Sequence, residues 1–545
     1  MRARIALISL VAAILSALLL APALVFPYFE DAALFAAVAN YMLEGETLYR
    51  DVFDHKAPAI YLQEMIRISL LGTSALASRV VELVFLLFAG FGLGASALAL
   101  RPDDRQGPPP TLLFLLPVSF CAFTSSTIWI LPDRGQVEFF QAAVVALGLS
   151  AALFSIALPD RRLPALVSGM ALAWAAWLKP QASVLLVFFF LVLLWEGVRT
   201  NQGKRRAWDL TLGAVIVSVV VAAFVMISGS LEGFFHLFSK HHPAYLAGVR
   251  PIPSNLFDRF THYFLSTPRN FAVAALTTLG FVRLAWLARR QSIRWASWLL
   301  IVGTLVWGLA AFASGVAGFR YHAVPAMVGV SVLVAIGLEG LLSLATGTRG
   351  SWWRAIAGGT LLGLISIWLI ATPRFLIDTA DLAGWLSGRE ALASVHERRG
   401  NEAHYYSYAR ELEAARIVRE LVPEGQSIYV LGLAGVTYLL GERPTAGRHL
   451  VTTFAYMPGY SLADSVHQEI VETVRDQQPE LLLVRTNDSF PWFGLPYSSL
   501  QRLMQDKALL PIVRQHYRPA GRIGDYFLIL QRCPGLSCAE SRPTP

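Results

Sequence analysis

The sequence contains few charged residues for its length. Only 15% of its 545 residues are Asp, Glu, Lys or Arg, whereas 55% are hydrophobic. Soluble domains carry about 25% charged residues, so this chain lacks the polar groups that would cover a water-facing surface. The same composition excludes a disordered or fibrous protein. The sequence therefore predicts a polytopic membrane protein with one soluble part.

Cysteine is also scarce, and it occurs only at Cys121, Cys533 and Cys538. Three cysteines are too few for a disulfide framework. A net charge of +8 would suit a nucleic-acid-binding protein. The basic residues, however, lie in loops between apolar runs, and we therefore expect no nucleic-acid partner.

Long apolar runs dominate the first two thirds of the chain. A membrane-spanning helix takes about 20 residues, and eleven runs approach or exceed that length. They cover residues 5–26, 80–100, 111–131, 137–158, 163–178, 181–198, 208–229, 270–288, 296–315, 322–345 and 352–372. The fifth and sixth runs are short, so we expect Lys179-Pro180 at the tip of a tight hairpin.

Positive charge predicts the orientation of these spans. Arginine and lysine cluster in alternate loops, for example at Arg161-Arg162 and between Arg199 and Arg206. Because such clusters stay on the cytoplasmic side, eleven spans place the N-terminus inside and the C-terminus outside a bacterial-type cytoplasmic membrane. A cleaved signal peptide ending near Ala21-Pro22-Ala23 is the alternative for the first span.

The composition changes near residue 373. We predict a transmembrane domain over residues 1–372, with a first outer loop at 27–79 made of short helices broken at Gly45 and Pro58. Residues 373–545 are predicted to form an extracytoplasmic α/β domain. Its predicted strands are Ser427–Leu431, Leu481–Val484 and Tyr526–Leu530, and its predicted helices are Glu411–Leu421 and Asp464–Arg475.

The first outer loop is rich in groups that could carry chemistry. Glu30 and Asp31 follow the first span, and Asp54, His55 and Lys56 stand together further along. A carboxylate at the water–lipid boundary is a good general base, because partial burial raises its basicity and nearby cations keep it ionised. The alternative is that these charges only cap the span and solvate the loop.

The loop carries a recognisable motif. Asp31, Leu34-Phe35 and Gly45 are followed by Leu48 to Lys56, Pro58 and Ile60-Tyr61. This string resembles the first outer loop of C-type (GT-C) membrane glycosyltransferases. The resemblance is to the family-39-like group of protein O-mannosyltransferases, lipid A aminoarabinose transferases and rhizobial lipopolysaccharide galacturonosyltransferases. Arg79, Ala176–Pro180 and Arg320–Pro325 support it more weakly.

The resemblance implies a helical polytopic membrane fold and an inverting sugar transfer from a polyprenyl-phosphate-sugar donor. The acceptor would be a lipid, a glycan or a protein, and membrane lipids would be further partners. By spacing to Phe35 and Gly45, Asp31 matches the family's catalytic aspartate. Glu30 is the second choice of base, because this chain has Glu30-Asp31 where many relatives have Asp-Glu.

The donor phosphate needs fixed cations, which relatives supply from lysine or arginine. Lys56, Lys179, Arg320 and His322 are the candidates here. For Lys179 and Arg320 the alternative is snorkelling to the lipid headgroups. We expect no cofactor, with a divalent metal as the open alternative.

Further substrate-site candidates are Asp54, His55 and Glu138. Glu138 enters a span, where an acid is costly, although helix capping would also explain it. His241 and His242 make a later outer loop basic, and we expect lipid-phosphate contact or plain solvation there rather than a metal site.

Two other function classes compete with a sugar transferase. A transporter or flippase would place charges near the membrane midplane and often shows inverted repeats, which are not visible in this sequence. An envelope polysaccharide polymerase or ligase would also act on lipid-linked sugars.

Overall fold

A computed structural model describes most of the chain. The described residues are 2–100, 110–124, 134–158, 160–200, 203–248, 268–290, 293–314, 320–346, 373–400, 406–490 and 494–533. They divide into two compact units built from interleaved segments of the chain. The first unit comprises residues 1–25, 79–221 and 253–390, and the second comprises residues 26–78, 222–252 and 391–545.

The first unit contains the apolar helices. Seven helices in the described part of the chain are long and apolar enough to cross a membrane. They are α1 (Arg2–Leu20), α4 (Ala75–Ser96), α6 (Val137–Ala157), α9 (Gly203–Ile227), α12 (Pro268–Arg289), α13 (Trp295–Ser314) and α14 (Val324–Thr346). α9 extends past this unit's boundary at residue 221. The protein is therefore a multi-pass membrane protein.

Three further apolar helices are shorter. They are α5 (Pro110–Thr124), α7 (Leu163–Leu178) and α8 (Ala182–Thr200). Lys179 and Pro180 lie in the break between α7 and α8, as the hairpin prediction requires. The eleventh predicted span, residues 352–372, lies outside the described residues, so the count of eleven stays a prediction.

The helices of the first unit differ in what surrounds them. α6 and α14 are mostly buried, whereas α9 and α12 expose large apolar side chains. Val219 of α9 and Phe271 of α12 are 61% and 64% exposed. Exposed apolar faces of this kind suit contact with lipid, so the outer helices complete their burial in a bilayer.

α7 and α9 approach each other at two glycines. A Cβ atom on Gly169 would lie 1.8 Å from the carbonyl oxygen of Leu210, and a Cβ atom on Gly213 would lie 2.0 Å from that of Leu166. Small residues allow helix backbones to pack this closely in membranes. Trp177 adds a hydrogen bond from its indole N–H to Ser218 Oγ, at 3.2 Å.

The second unit begins with α2 (Glu30–Leu43) and α3 (Pro58–Leu71), which pack against each other. The predicted breaks are confirmed, since Gly45 adopts φ +109° after α2 and Pro58 is the first residue of α3. The second segment forms α10 (Leu231–His236), a π-helical turn (Leu237–His241) and α11 (His242–Gly248).

In the part that the structure describes, the C-terminal segments add seven helices and a sheet. Of these, α15 (Pro373–Leu386) belongs to the first unit, and the others to the second. The others are α16 (Leu392–Arg399), α17 (Tyr408–Leu421), α18 (Gly435–Gly441), α19 (Ala463–Glu472), α20 (Ser499–Gln505) and α21 (Leu509–His516). The strands are β1 (Ile428–Leu431), β2 (Leu481–Arg485), β3 (Tyr517–Ile523) and β4 (Phe527–Arg532).

The sheet has the order β1-β2-β4-β3, with β1 and β2 parallel and the other pairs antiparallel. The α/β prediction for this region is therefore confirmed, together with three of its strands. β3 was not predicted from the sequence. It is an edge strand with five exposed residues and an irregularity between Pro519 and Gly521.

The cysteines have separate roles. Cys121 is a buried free thiol on α5, and Cys533 is disulfide-bonded just after β4. Cys538 lies outside the described residues.

Replacing Gly169 with leucine should destabilise the first unit, because the new side chain would collide with the α9 backbone. Overpacking of this kind costs about 1–3 kcal/mol or more. Thermal unfolding in detergent should show a clearly lowered Tm for Gly169→Leu. The control is Val167→Leu on the same helix, where the side chain is 38% exposed. Equal Tm values for the two variants would contradict the close contact between α7 and α9.

Candidate functional site

Helix α2 presents two neighbouring acids at its N-terminus. Glu30 and Asp31 occupy its first turn, where the partial positive charge of the helix favours acidic side chains. Their surroundings differ sharply. The Glu30 residue is 8% exposed, whereas the Asp31 side chain keeps 24% of its surface exposed. Asp31 is therefore the more accessible of the two acids.

Glu30 is held in a dry environment. Burial raises the pKa of its carboxyl well above the usual range, even though Arg485 opposes the shift. Its Oε1 atom has no hydrogen-bond partner among the described residues. Burial thus favours the protonated form of Glu30, and a protonated carboxyl is a poor general base.

Asp31 stands at one end of a chain of polar contacts. Lys56 Nζ lies 3.8 Å from Asp31 Oδ2 and 3.0 Å from His55 Nε2. His55 Nδ1 lies 2.9 Å from Asp54 Oδ1, and the Tyr61 hydroxyl donates to Asp54 Oδ2 at 2.7 Å. The structure thus brings Asp31, Asp54, His55 and Lys56 together, and it adds Tyr61.

Asp54 is fully buried and ionised. Burial alone would raise the pKa of Asp54, but His55, Lys56 and Tyr61 together hold it well below its usual range. Burial raises the pKa of Tyr61 well above its ordinary value, so the Tyr61 hydroxyl remains a donor. The loop therefore contains a permanent buried negative charge.

The later loop of the second unit packs on the same residues. His242 donates from Nε2 to the carbonyl oxygen of His55, at 2.8 Å. His241 is 1% exposed, and burial lowers its pKa to about 2. The expectation of plain solvation is therefore wrong for His241. Its Nδ1 lies 2.6 Å from the Tyr460 hydroxyl, and its ring is stacked on Tyr245 with centroids 6.3 Å apart.

A second group of predicted residues meets in the first unit. The Glu138 carboxylate, in the first turn of α6, pairs with the ammonium group of Lys179. His322 Nε2 lies 3.5 Å from Glu138 Oε1. Arg320 begins a short 3₁₀ helix (Arg320–Ala323), but its side chain lies outside the described residues. Glu138 thus offsets part of the positive charge that Lys179 and His322 would offer a phosphate.

A buried arginine links the sheet to α17 within the second unit. Arg485 at the end of β2 is 0% exposed, and its guanidinium lies 3.9 Å from the centroid of the Tyr526 ring. Arg485 Nη1 is 3.5 Å from Glu411 Oε1, which also accepts from the Tyr526 hydroxyl at 3.2 Å. No sequence motif indicates this cluster, because its members lie far apart along the chain.

Metal binding finds no support in the described part of the chain. No group of three or more His, Cys, Asp or Glu side chains there could hold a metal ion. Asp31 itself is paired with a lysine, and the neighbouring carboxylate of Asp54 already receives three hydrogen bonds.

No family model matches the sequence, and no curated protein matches it significantly. Solved structures do. ArnT from Cupriavidus metallidurans bound to undecaprenyl phosphate is 16% identical, with a TM-score of 0.55 and 98% of each chain covered. Its apo form is 15% identical, with a TM-score of 0.54, covering 96% of this chain and 97% of that one. The oligosaccharyltransferase AglB from Archaeoglobus fulgidus is 11% identical, with a TM-score of 0.49, covering 99% of this chain and 75% of that one.

The likeness to ArnT over nearly the whole chain shows a shared fold. The predicted fold class is confirmed, namely a helical polytopic membrane protein with a C-terminal α/β region, and its fold is that of ArnT. The resemblance read from the first loop is likewise confirmed at the level of the fold.

Glu411 should make the stability of the protein depend on pH. Burial raises its pKa to about 7 from an ordinary value of 4.5, although Arg485 opposes the shift. The folded protein therefore holds this proton more tightly than the unfolded chain does. Its stabilising contribution is complete below about pH 4.5 and is lost as the pH rises through 7.

Glu411→Gln should reduce the fall in Tm between pH 5 and pH 8, measured by thermal unfolding in detergent. Glu413→Gln is the matched control on the same helix, since the Glu413 side chain is 39% exposed and paired only with Arg410 in the described contacts. The same pH slope in Glu411→Gln and wild type would contradict the assignment.

Proposed function

We propose that the protein is an inverting glycosyltransferase that uses a polyprenyl-phosphate-linked sugar as donor. Asp31 acts as the general base. The observation that carries the proposal is the pairing of the partly exposed Asp31 with Lys56, whose Nζ lies 3.8 Å from Asp31 Oδ2. This pair lies next to the buried Glu30, in a protein that has the fold of ArnT. The transfer would take place at the outer face of the cytoplasmic membrane.

The chemistry requires only groups that this chain contains. The acceptor hydroxyl gives its proton to the Asp31 carboxylate while its oxygen attacks the anomeric carbon. The bond from that carbon to the phosphate oxygen breaks, and the electron pair leaves with the phosphate. Attack from the opposite side inverts the anomeric configuration. Cations then stabilise the departing phosphate.

Lys56 is the first candidate for that electrostatic role, because it already lies beside the base. Lys179, Arg320 and His322 remain the other candidates. A lysine offers a point charge to phosphate, whereas an arginine offers a bidentate fork. The structure of ArnT with undecaprenyl phosphate supports a lipid phosphate as the donor's carrier.

The acceptor class is a lipid, a glycan or a protein, and an envelope polymerase or ligase differs from a transferase mainly in that acceptor. A transporter or flippase is less well supported. Its charges would lie within spanning helices, whereas Asp31 and Lys56 lie outside the helices that are long enough to span a membrane. Release of polyprenyl phosphate from a labelled lipid-linked sugar separates an enzyme from a transporter.

Asp31→Asn should abolish sugar transfer while the protein stays folded. Removing a general base costs about 10²–10⁴-fold in rate. The measurement is turnover of an undecaprenyl-phosphate-linked sugar by purified protein, with Tm as the check on folding. Binding of undecaprenyl phosphate should change little, because the base acts on the acceptor.

Glu30→Gln is the matched control for that experiment. A protonated carboxyl and an amide have similar shapes, so this variant should keep most of its activity. An inactive Glu30→Gln beside a nearly normal Asp31→Asn would move the base to the neighbouring residue.

The disulfide at Cys533 offers a test of orientation. Disulfides form outside the cytoplasm, and the arginine pattern places the C-terminal domain there. In intact spheroplasts, a membrane-impermeant thiol reagent should label Cys533 only after reduction. Cys121 is buried and should give little background, and the double variant Cys533→Ser/Cys538→Ser supplies the control. Labelling that appears only after the membrane is broken would place this domain in the cytoplasm.

A further inference from the structure

Asp54 is a fully buried charged residue of the first loop, and it does not touch the proposed base. Its Oδ1 accepts from the backbone N–H of His55 at 2.7 Å and faces His55 Nδ1 at 2.9 Å. Its Oδ2 accepts from Tyr61 at 2.7 Å. Both oxygens are occupied at 0% exposure, and the hydrogen bonds of Asp54 lead to the Lys56 ammonium group through His55.

The partners of the two ring nitrogens of His55 indicate which nitrogen carries the proton. An ammonium group has donors and no acceptor, so Lys56 Nζ must donate to His55 Nε2. The ring proton of the neutral imidazole then resides on Nδ1, from which it is donated to Asp54. The ring is thus fixed at both nitrogens, with a permanent anion on one side and the lysine on the other.

We infer that Asp54 and His55 are positioning residues that hold the Lys56 ammonium group beside Asp31. This inference rests on the proposed function, because it gives the pair a task in sugar transfer. A lysine has a flexible four-carbon stem, and the acceptor His55 Nε2, 3.0 Å from Nζ, limits where its ammonium group can go.

The backbone around the pair is held from other directions as well. The Tyr49 hydroxyl donates to the carbonyl oxygen of Lys56 at 2.8 Å, and His242 donates to that of His55. Pro58 then starts α3 directly after this segment. With the backbone fixed, the remaining freedom of Lys56 lies in its side chain, which is the part that His55 holds.

Two substitutions at His55 separate positioning from simple anchoring. Asparagine places a polar group near the position of Nδ1 and so keeps the contact to Asp54. Glutamine reaches the position of Nε2, where its carbonyl oxygen can accept from Lys56. If the ring positions Lys56, His55→Gln should retain more activity than His55→Asn. If the ring only anchors the loop to Asp54, the order should be reversed.

The expected loss for His55→Asn is about 10²-fold in kcat/KM, since a misplacement of about 1 Å at a reacting group costs that much. His55→Gln should lose no more than about a tenth of that. Both are measured with an undecaprenyl-phosphate-linked sugar, and Tm values show whether each variant is folded. Equal or reversed losses would overturn the inference.

A double-mutant cycle with Lys56→Ala measures the coupling between His55 and Lys56, which a purely structural role of His55 would not produce. Once Lys56 is gone, His55→Asn should cost little more, because its target has been removed. Fully additive losses would overturn the inference. If His55→Asn does not fold, Tyr61→Phe replaces it in the cycle. Tyr61→Phe removes the hydrogen bond to Asp54 Oδ2 and should lower kcat/KM several-fold when Lys56 is present, but not in the Lys56→Ala variant. An equal loss with and without Lys56 would count against the positioning role.

Wild-type behaviour distinguishes this inference from the function beneath it. A wild-type protein that neither binds undecaprenyl phosphate nor transfers the sugar overturns the proposed function and the inference together. Wild-type transfer with an unaffected His55→Asn variant overturns the positioning role alone.

Discussion

The buried charge of Asp54 is the constraint on which the first loop depends. A carboxylate at 0% exposure is tolerated only when its oxygens are satisfied, and here one tyrosine and two N–H groups of His55 do so. Meeting that requirement fixes the His55 ring, and the ring in turn fixes the lysine next to Asp31. The charge of Asp54 thus acts on the surroundings of the proposed base through two contacts, from Asp54 to His55 and from His55 to Lys56. Residues 54–56 cannot rearrange without leaving the Asp54 carboxylate unpaired in the interior.

A second buried charge joins that loop to the C-terminal segments of the same unit. Arg485 lies against Glu411 and Tyr526, and its positive charge opposes the rise in the pKa of Glu30. The end of β2 and the start of α2 are therefore electrostatically coupled. The backbone supports the junction as well. A Cβ on Gly435, the first residue of α18, would lie only 2.5 Å from the backbone nitrogen of Leu34. Glycine therefore permits the close approach of α18 to α2, on which Asp31 is carried.

The fold was largely predictable, because apolar runs and short buried strands leave strong local signals. β1, β2 and β4 are continuous apolar segments, and the breaks at Gly45 and Pro58 follow from backbone chemistry. β3 was not predicted because its sequence, from Tyr517 to Ile523, contains Pro519, Gly521 and two arginines, and five of its residues are exposed. An edge strand needs only a partner on one side, so such a polar sequence is tolerated. The motif pointed to Asp31 and to the run from Asp54 to Lys56. The hydrogen bond from Tyr61 to Asp54 and the cluster around Arg485 could not be predicted, because these contacts form only when the chain folds.

The choice between Glu30 and Asp31 shows what spacing alone could not decide. Neighbouring residues on a helix point about 100° apart, so two adjacent acids at a helix N-terminus cannot share one environment. Burial raises the pKa of Glu30 and favours its neutral form, while Asp31 faces a lysine and keeps part of its surface in solvent. The neutral form of Glu30 adds no second negative charge beside the proposed base. A donor phosphate, which two adjacent carboxylates would repel more strongly, then meets only one.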